Sequence, residues 1–262
     1  MILDFHTHCF PEKIAAKAME SLSFASGGVR PGTDGTARGL EKRMEECGVD
    51  AYVVLNIATN PKQMHNVNDF AASLKSERVY PFGSVHPDAP DVLDELCRIK
   101  EMGLRGVKLH PEYQRFFVDD EKMKPIYKKI SELGLALTFH AGFDPGFIAP
   151  FHATPERLAK ALKWLECDVI AAHWGSLGME EDVRRHLHGL PIYFDMGHGS
   201  SCITRLGALR CIEEHGADRI LFASDTPWHS PTQELDLLNT LGLSESERNM
   251  ILWENGMKIL NR

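Results

Sequence analysis

The chain has 262 residues, of which 43% are hydrophobic and 25% charged, and its formal net charge is −8. These values are typical of a folded globular protein, and the scattered Lys and Arg argue against nucleic acid or a membrane as partner. Six widely spaced cysteines form no Cys-x-x-Cys pair, and the N-terminus resembles no secretory signal. We therefore expect a cytoplasmic protein with a single domain over residues 1–262.

Short apolar or β-branched runs recur along the chain, and helical periodicity separates them. Strands are predicted at 2–6, 51–57, 79–85, 105–109, 135–140, 168–173, 191–195 and 219–224. Helices are predicted at 61–77, 89–102, 119–133, 154–166, 178–188, 203–215 and from about 231 onward. A loop rich in Gly, Ser and Pro is predicted at Ser23–Arg38, where it could reach over the end of the sheet.

Eight strands alternating with helices predict a parallel sheet, and a chain of this length fits a closed (β/α)8 TIM barrel better than an open doubly wound sheet. The first strand is followed by no G-x-G-x-x-G motif, which argues against a nucleotide-binding fold. In TIM barrels the active site lies at the carboxyl ends of the strands. Residues at the predicted strand ends are therefore the candidates for chemistry.

Histidines crowd these strand ends. Of 13 histidines, eight lie at or shortly after a predicted strand end, namely His6, His8, His86, His110, His140, His173, His198 and His229. Asp225 follows the eighth strand, which neighbours the first in a closed barrel, so His6, His8 and Asp225 can converge. His140 can reach them from across the barrel. Imidazole nitrogens with one carboxylate oxygen are a ligand set for Zn²⁺ and similar ions.

Six sequence blocks occur in an order that is typical of one family. They are D-F-H-T-H at 4–8, G-V-K-L-H-P-E-Y-Q-R-F at 106–116, L-T-F-H-A-G at 137–142, A-A-H-W-G at 171–175, Y-F-D-M-G at 193–197 and L-F-A-S-D-T-P-W at 221–228. With them the chain resembles the amidohydrolase superfamily, in its amidohydrolase-related (amidohydrolase 2) branch of TIM-barrel metal-dependent hydrolases and decarboxylases. The resemblance implies His6, His8, His140 and Asp225 as metal ligands. It also implies that His173 acts on substrate or, in two-metal members, binds a second ion.

The resemblance leaves the number and identity of the metal ions open. In two-metal members a lysine of the fourth strand is carbamylated and bridges the ions. Here Lys108 and His110 share a strand face, which departs from that pattern, so one ion is favoured. Zn²⁺ is the expected ion, and the ligand set also admits Mn²⁺, Fe²⁺ or Ni²⁺.

The expected activity is hydrolysis of an amide, ester or lactone-like bond in a small molecule by a metal-activated water. Asp225 would accept and return the proton, and His173 would orient the water or bind the oxyanion. The alternative is non-oxidative decarboxylation of an aromatic or unsaturated acid. The chain is short for such decarboxylases, which favours hydrolysis.

Substrate contacts are expected from residues near the barrel mouth: Lys108, His110, Arg115 and Trp228. For decarboxylation, Lys108 and Arg115 are the candidate partners of the substrate carboxylate. A third hypothesis, a metal that only stabilises the fold, is disfavoured because structural zinc sites usually have four firm protein ligands. A homodimer is expected only from the frequency of dimers among soluble oligomers.

Overall fold

Eight parallel strands form a closed barrel in the computed structural model, which describes residues 1–262. They are β1 (Leu3–Thr7), β2 (Ala51–Leu55), β3 (Val79–Phe82), β4 (Gly106–Leu109), β5 (Ala136–Phe139), β6 (Val169–Ala171), β7 (Tyr193–Asp195) and β8 (Ile220–Leu221). Strands β1 to β3 pair in chain order, as do β4 to β8. Bridges between Gly83 and Val107 and between Thr7 and Thr226 join the two groups. The predicted (β/α)8 barrel is confirmed.

Helices surround the strands and also cover the ends of the barrel. They are α1 (Glu12–Ala25), α2 (Ala37–Glu46), α3 (Met64–Ser73), α4 (Val92–Glu101), α5 (Pro111–Gln114), α6 (Lys124–Glu132), α7 (Pro155–Ala161), α8 (Glu180–His186), α9 (Gly199–Cys202), α10 (Arg205–His215), α11 (Pro231–Thr240), α12 (Glu245–Asn249) and α13 (Asn255–Leu260). One π-helical turn, Met250–Glu254, joins the last two helices. The one-turn helices α5 and α9 were not predicted, because four residues are too few to show helical periodicity.

The side chains of each strand alternate between the helical layer and the barrel interior. In β4, Val107 and Leu109 are fully buried in the large hydrophobic core between sheet and helices. Lys108, between them in sequence, lines a cavity at the mouth of the barrel instead. The alternation that builds the core thus also directs polar side chains to the carboxyl end of the barrel.

The predicted loop at Ser23–Arg38 is shorter than expected. Helix α1 continues to Ala25, because no Gly or Pro interrupts it before Gly27. Helix α2 begins at Ala37, where the side chain of Thr36 accepts a hydrogen bond from the Gly39 amide. The remaining segment, 26–36, does reach the barrel mouth, where the Gly32 amide donates to the Pro227 carbonyl at 2.7 Å.

None of the helices combines the length and the apolar character that crossing a lipid bilayer requires.

Candidate metal centre

Two strands bring the first three predicted ligands together. His6 lies in β1 and His8 directly follows it, with their Nε2 atoms 3.0 Å apart. These nitrogens lie 3.4 Å and 3.2 Å from Oδ1 of Asp225. Asp225 has a left-handed backbone (φ 65°), and its amide donates to the His6 carbonyl at 2.8 Å. The contact between β1 and the segment after β8 therefore fixes all three groups relative to one another.

The outer nitrogens of both rings face acceptors. Nδ1 of His6 donates to Oδ2 of Asp195 at 2.9 Å, and Nδ1 of His8 donates to the Leu55 carbonyl at 2.8 Å. Burial raises the pKa of Asp195, but the hydrogen bond from His6 and the positive charges of His6, His173 and Lys108 together lower it to about 2, so this carboxylate is ionised. Burial lowers the pKa of His6 to about 4, so its ring is neutral at pH 7. His6, and His8 in its neutral form, therefore direct unshared electron pairs from Nε2 towards Asp225.

A second pair of imidazoles lies beside the first. His173 has its ring centre 5.2 Å from that of His6, and its Nε2 lies 3.1 Å from Nδ1 of His140. Nδ1 of His173 donates to the Gly197 carbonyl at 3.0 Å, and Nε2 of His140 donates to the Phe143 carbonyl at 3.3 Å. Burial holds the pKa of His140 well below its usual range. In their neutral forms these two rings also turn unprotonated nitrogens towards each other.

The donor set fits a divalent cation. Two imidazole nitrogens and one carboxylate converge, and with neutral rings no hydrogen lies between His6, His8 and Asp225 to relieve the repulsion of their electron pairs. A metal ion relieves it, and neutral nitrogens with a carboxylate are the ligands that Zn²⁺ and its neighbours take. The hydrogen bonds to Asp195 and Leu55 are the outer contacts that hold ligating imidazoles in one tautomer.

His140 stands apart from the first three predicted ligands. His6, His8 and Asp225 offer ligand atoms within 4.8 Å of one another, whereas His140 groups at that distance with His110 and Asp144. His173 lies between His140 and His6. The structure therefore places His140 next to the cluster and not inside it.

A cavity of about 140 Å³, here called the metal cavity, lies over these groups. The three metal-facing residues line it, as do His140 and His173. Of the residues predicted to bind substrate, Lys108, His110 and Trp228 line it too. Arg115 does not: it ends α5 in a left-handed conformation (φ 57°) and is exposed. Helix α5 turns the chain outward before Arg115, so the structure does not bring this residue together with the other predicted substrate-binding residues.

Lys108 is the most unusual group of the metal cavity. Its side chain is 1% exposed, and Nζ has no hydrogen-bond partner. Burial lowers its pKa to about 8, while the charges of Asp195 and Asp225 oppose that change. Lys108 is thus largely protonated at pH 7. An ammonium group without hydrogen bonds is costly to bury, so the cavity is suited to an anion.

Two residues of this site were missed in the sequence. Oδ2 of Asp144 lies 3.3 Å from Nε2 of His110, and His110 stacks on His140 with ring centres 4.1 Å apart. Tyr113 meets His110 edge-on at 4.5 Å. The available signals were short spacings, since Asp144 follows His140 by four residues and Tyr113 follows His110 by three.

The barrel and its His/Asp cluster define a (β/α)8 protein with a candidate divalent-metal site at the carboxyl ends of its strands. The Amidohydro_2 family model, described as "Amidohydrolase", matches residues 3–262, and the chain belongs to this family. Both the family and the cluster support a divalent metal. None of the curated proteins matches the chain.

Solved structures share the fold over nearly all of both chains. An uncharacterized TIM-barrel protein from Bordetella bronchiseptica aligns with a TM-score of 0.77 at 17% identity, covering 99% of this chain and 98% of its own. 5-Carboxyvanillate decarboxylase from Sphingomonas paucimobilis aligns with a TM-score of 0.75 at 14% identity, covering 99% of this chain and 98% of its own. A dihydroxybenzoic acid decarboxylase from Polaromonas sp. was solved with manganese and the inhibitor 2-nitroresorcinol. It aligns with a TM-score of 0.73 at 16% identity, covering 100% of this chain and 97% of its own. At these identities the likeness establishes the fold alone.

Proposed function

We propose that this protein is a metal-dependent, non-oxidative decarboxylase of an aromatic or unsaturated carboxylic acid. The observation that carries the proposal is the buried ammonium of Lys108, which lines the metal cavity and has no partner of its own. A substrate carboxylate would supply the missing hydrogen-bond acceptors and the opposite charge. A neutral amide or ester would supply acceptors but no charge.

His6, His8 and Asp225 would hold the metal, with His140 as a further ligand. Zn²⁺ is the proposed ion, and Mn²⁺ suits the same ligands and is bound in a decarboxylase of this fold. When bound, a divalent ion acts as a Lewis acid that polarises substrate oxygens.

Asp225 is the proposed proton carrier. Burial raises its pKa, but His6, His8 and His173 together, through their charges in acid and the hydrogen bond from His8, outweigh burial and hold it well below its usual range. Asp225 therefore enters the reaction ionised and can accept a proton from water, and the hydroxide left behind combines with released CO₂ as bicarbonate. When the bond between the ring carbon and the carboxylate breaks, CO₂ leaves and the electron pair stays on the carbon. Asp225 then delivers its proton to that carbon, so the product hydrogen comes from solvent.

Ring-shaped side chains on the walls support a planar substrate. Trp228, Tyr113 and His110 line the metal cavity, and their faces and edges suit an aromatic ring. The two decarboxylases that share the fold are named for 5-carboxyvanillate and dihydroxybenzoic acid, which are both planar aromatic acids.

Hydrolysis is the second candidate. The length argument that favoured it is weak, because the named decarboxylases are covered to 98% and 97% of their chains. One observation still supports it: His173 lines the cavity beside the metal ligands, where it can orient an attacking water.

The test uses metal-loaded protein and a panel of hydroxylated benzoic acids with their methyl esters and anilides. In deuterated water, decarboxylation releases CO₂ and places one deuteron on the ring carbon that carried the carboxylate. In ¹⁸O water, hydrolysis places the label in the product acid and releases no CO₂. Cleavage of esters or anilides with no CO₂ from any acid would replace the decarboxylase proposal by the hydrolase one.

A further inference from the structure

A second cavity, here called the side cavity, lies beside the metal cavity and has a volume of about 390 Å³. Helices α1 and α3 form much of its wall, and ten of its 16 lining residues are hydrophobic. They include Ile14, Ala18 and Leu22 of α1 and Val67 and Phe70 of α3. A mostly apolar cleft of this volume has the size and lining that are usual for small-molecule sites.

The two cavities are adjacent. Five residues line both of them: His8, Phe10, Leu22, Ile57 and Tyr113. A molecule that passes between these five side chains would reach from the metal-facing nitrogen of His8 into the side cavity. The metal cavity alone is smaller than the usual ligand pocket of about 300–1,000 Å³, whereas the two spaces together fall within that range.

The lining of the side cavity defines the chemistry of its occupant. No Asp, Glu, Lys or Arg side chain lines it, which disfavours a second charged group. Asn56, which follows β2, is only 8% exposed, and its Nδ2 has no hydrogen-bond partner. A buried amide donor is costly to leave unpaired, and Asn56 lines the side cavity, whose other polar residues include Thr59, Gln63 and Asn66. It calls for an acceptor without charge, such as a carbonyl or ether oxygen.

We propose that the substrate carries, besides its acidic head, an uncharged apolar extension with one hydrogen-bond acceptor, bound in the side cavity with Asn56 as donor. The inference rests on the proposed function for the head, which Lys108 and the metal hold. Val67 and Asn56 are then specificity-determining residues, since they contact the extension and not the reacting carboxylate. Benzoic acids that lack this extension would still be turned over, but they would bind more weakly than acids that carry it.

The test measures binding of two probe series to the metal-loaded protein by calorimetry. One series is 4-alkylbenzoates from methyl to hexyl, and the other is the corresponding neutral 4-alkylbenzyl alcohols. Affinity should rise by up to about fourfold per added methylene in both series. Val67→Trp should abolish this rise while benzoate itself binds unchanged. Leu93→Trp, an exposed position on α4 outside the cavity, is the matched control and should keep the rise.

The donor role of Asn56 is tested with 4-acylbenzoates and 4-alkylbenzoates of equal length. The protein should prefer the acyl probes by at least about fivefold, and Asn56→Leu should remove that preference without weakening the alkyl probes. Metal content and circular dichroism verify that each variant folds.

The experiments test the carboxylate site at Lys108 and the side-cavity inference independently of each other. A flat chain-length dependence in the wild-type protein, or an undiminished one in Val67→Trp, would overturn the side-cavity inference. Lys108→Met should weaken all the acids equally and leave the alcohols unchanged. If it leaves the acids unchanged too, the carboxylate site at Lys108 is wrong while the side cavity stands.

Discussion

The Nε2 atoms of His6 and His8 lie 3.0 Å apart, and in the neutral rings neither carries a hydrogen, because Asp195 and Leu55 hold the only ring protons at Nδ1. Two unshared electron pairs at this distance repel each other. The sequence nevertheless directs them together, since residues two apart in a strand face the same side. A bound cation turns this local repulsion into ligation.

Replacing both histidines, His6→Ala with His8→Ala, should abolish stoichiometric metal binding. The remaining Asp225 and His140 offer too few ligands to hold a divalent ion through purification. Plasma mass spectrometry of protein prepared without chelator measures the effect. His65→Ala, an exposed histidine that pairs with Asp91, is the control and should keep the full metal content. A full equivalent of metal in the double variant would place the ligands elsewhere.

Asp195→Asn should weaken metal binding by about 10- to 100-fold although Asp195 need not touch the ion. Oδ1 of Asp195 accepts the amides of His173 and Gly197, so the new amide nitrogen would take the Oδ2 position facing His6. That nitrogen donates, which forces the His6 proton onto Nε2 and blocks a ligand.

Competition with a fluorescent chelator measures this affinity. Asp168→Asn, whose carboxylate pairs with Arg262 at the surface, should bind metal normally. An unchanged metal affinity in Asp195→Asn would show that Asp195 does not select the tautomer of His6.

Strand alternation and strand order predict part of this site from the sequence, but not all of it. Strand alternation and barrel closure predict the meeting of His6, His8 and Asp225, because each step depends on near neighbours or on the order of the strands. They do not predict the direction of Arg115, since a single turn of helix decides it. The side cavity around Asn56 was invisible, because its walls come from α1 and α3, which pack together only in the folded chain.

Lys108→Met should leave the metal content at about one equivalent per chain. The reason is that His6, His8 and Asp225 already form a cluster without Lys108, which has no partner in it. The intact mass of the wild-type protein should likewise show no carbamate on this lysine. Two metal equivalents in the wild type, falling in the variant, would instead identify a carbamylated bridge between two ions.

Binding of an acidic substrate should depend on pH through Lys108. Its pKa is lowered to about 8, first of all by burial, and a bound cation lowers it further. Below its pKa the ammonium is charged and holds the carboxylate; above it the charge is lost. The KM for acids should therefore rise with a midpoint at or below about pH 8. Lys108→Met should show a higher KM with no such transition, and a persistent transition would assign the titration to another group.

Asp225→Asn should reduce kcat by about 10²- to 10⁴-fold, the usual contribution of a positioned acid or base. The amide keeps an oxygen near Nε2 of His6 and His8, so much of the metal should remain. What it cannot do is accept a proton from water and return it to the product. Single-turnover assays of metal-loaded protein, with metal content measured on the same sample, separate this chemical loss from loss of the ion.

The matched control is Asp144→Asn. The carboxylate of Asp144 lies near His110 and not beside His6 and His8, so its replacement should affect kcat far less. A fully active, metal-replete Asp225→Asn variant would mean that the proton moves through another group, and His173, beside His6, would be the next to replace.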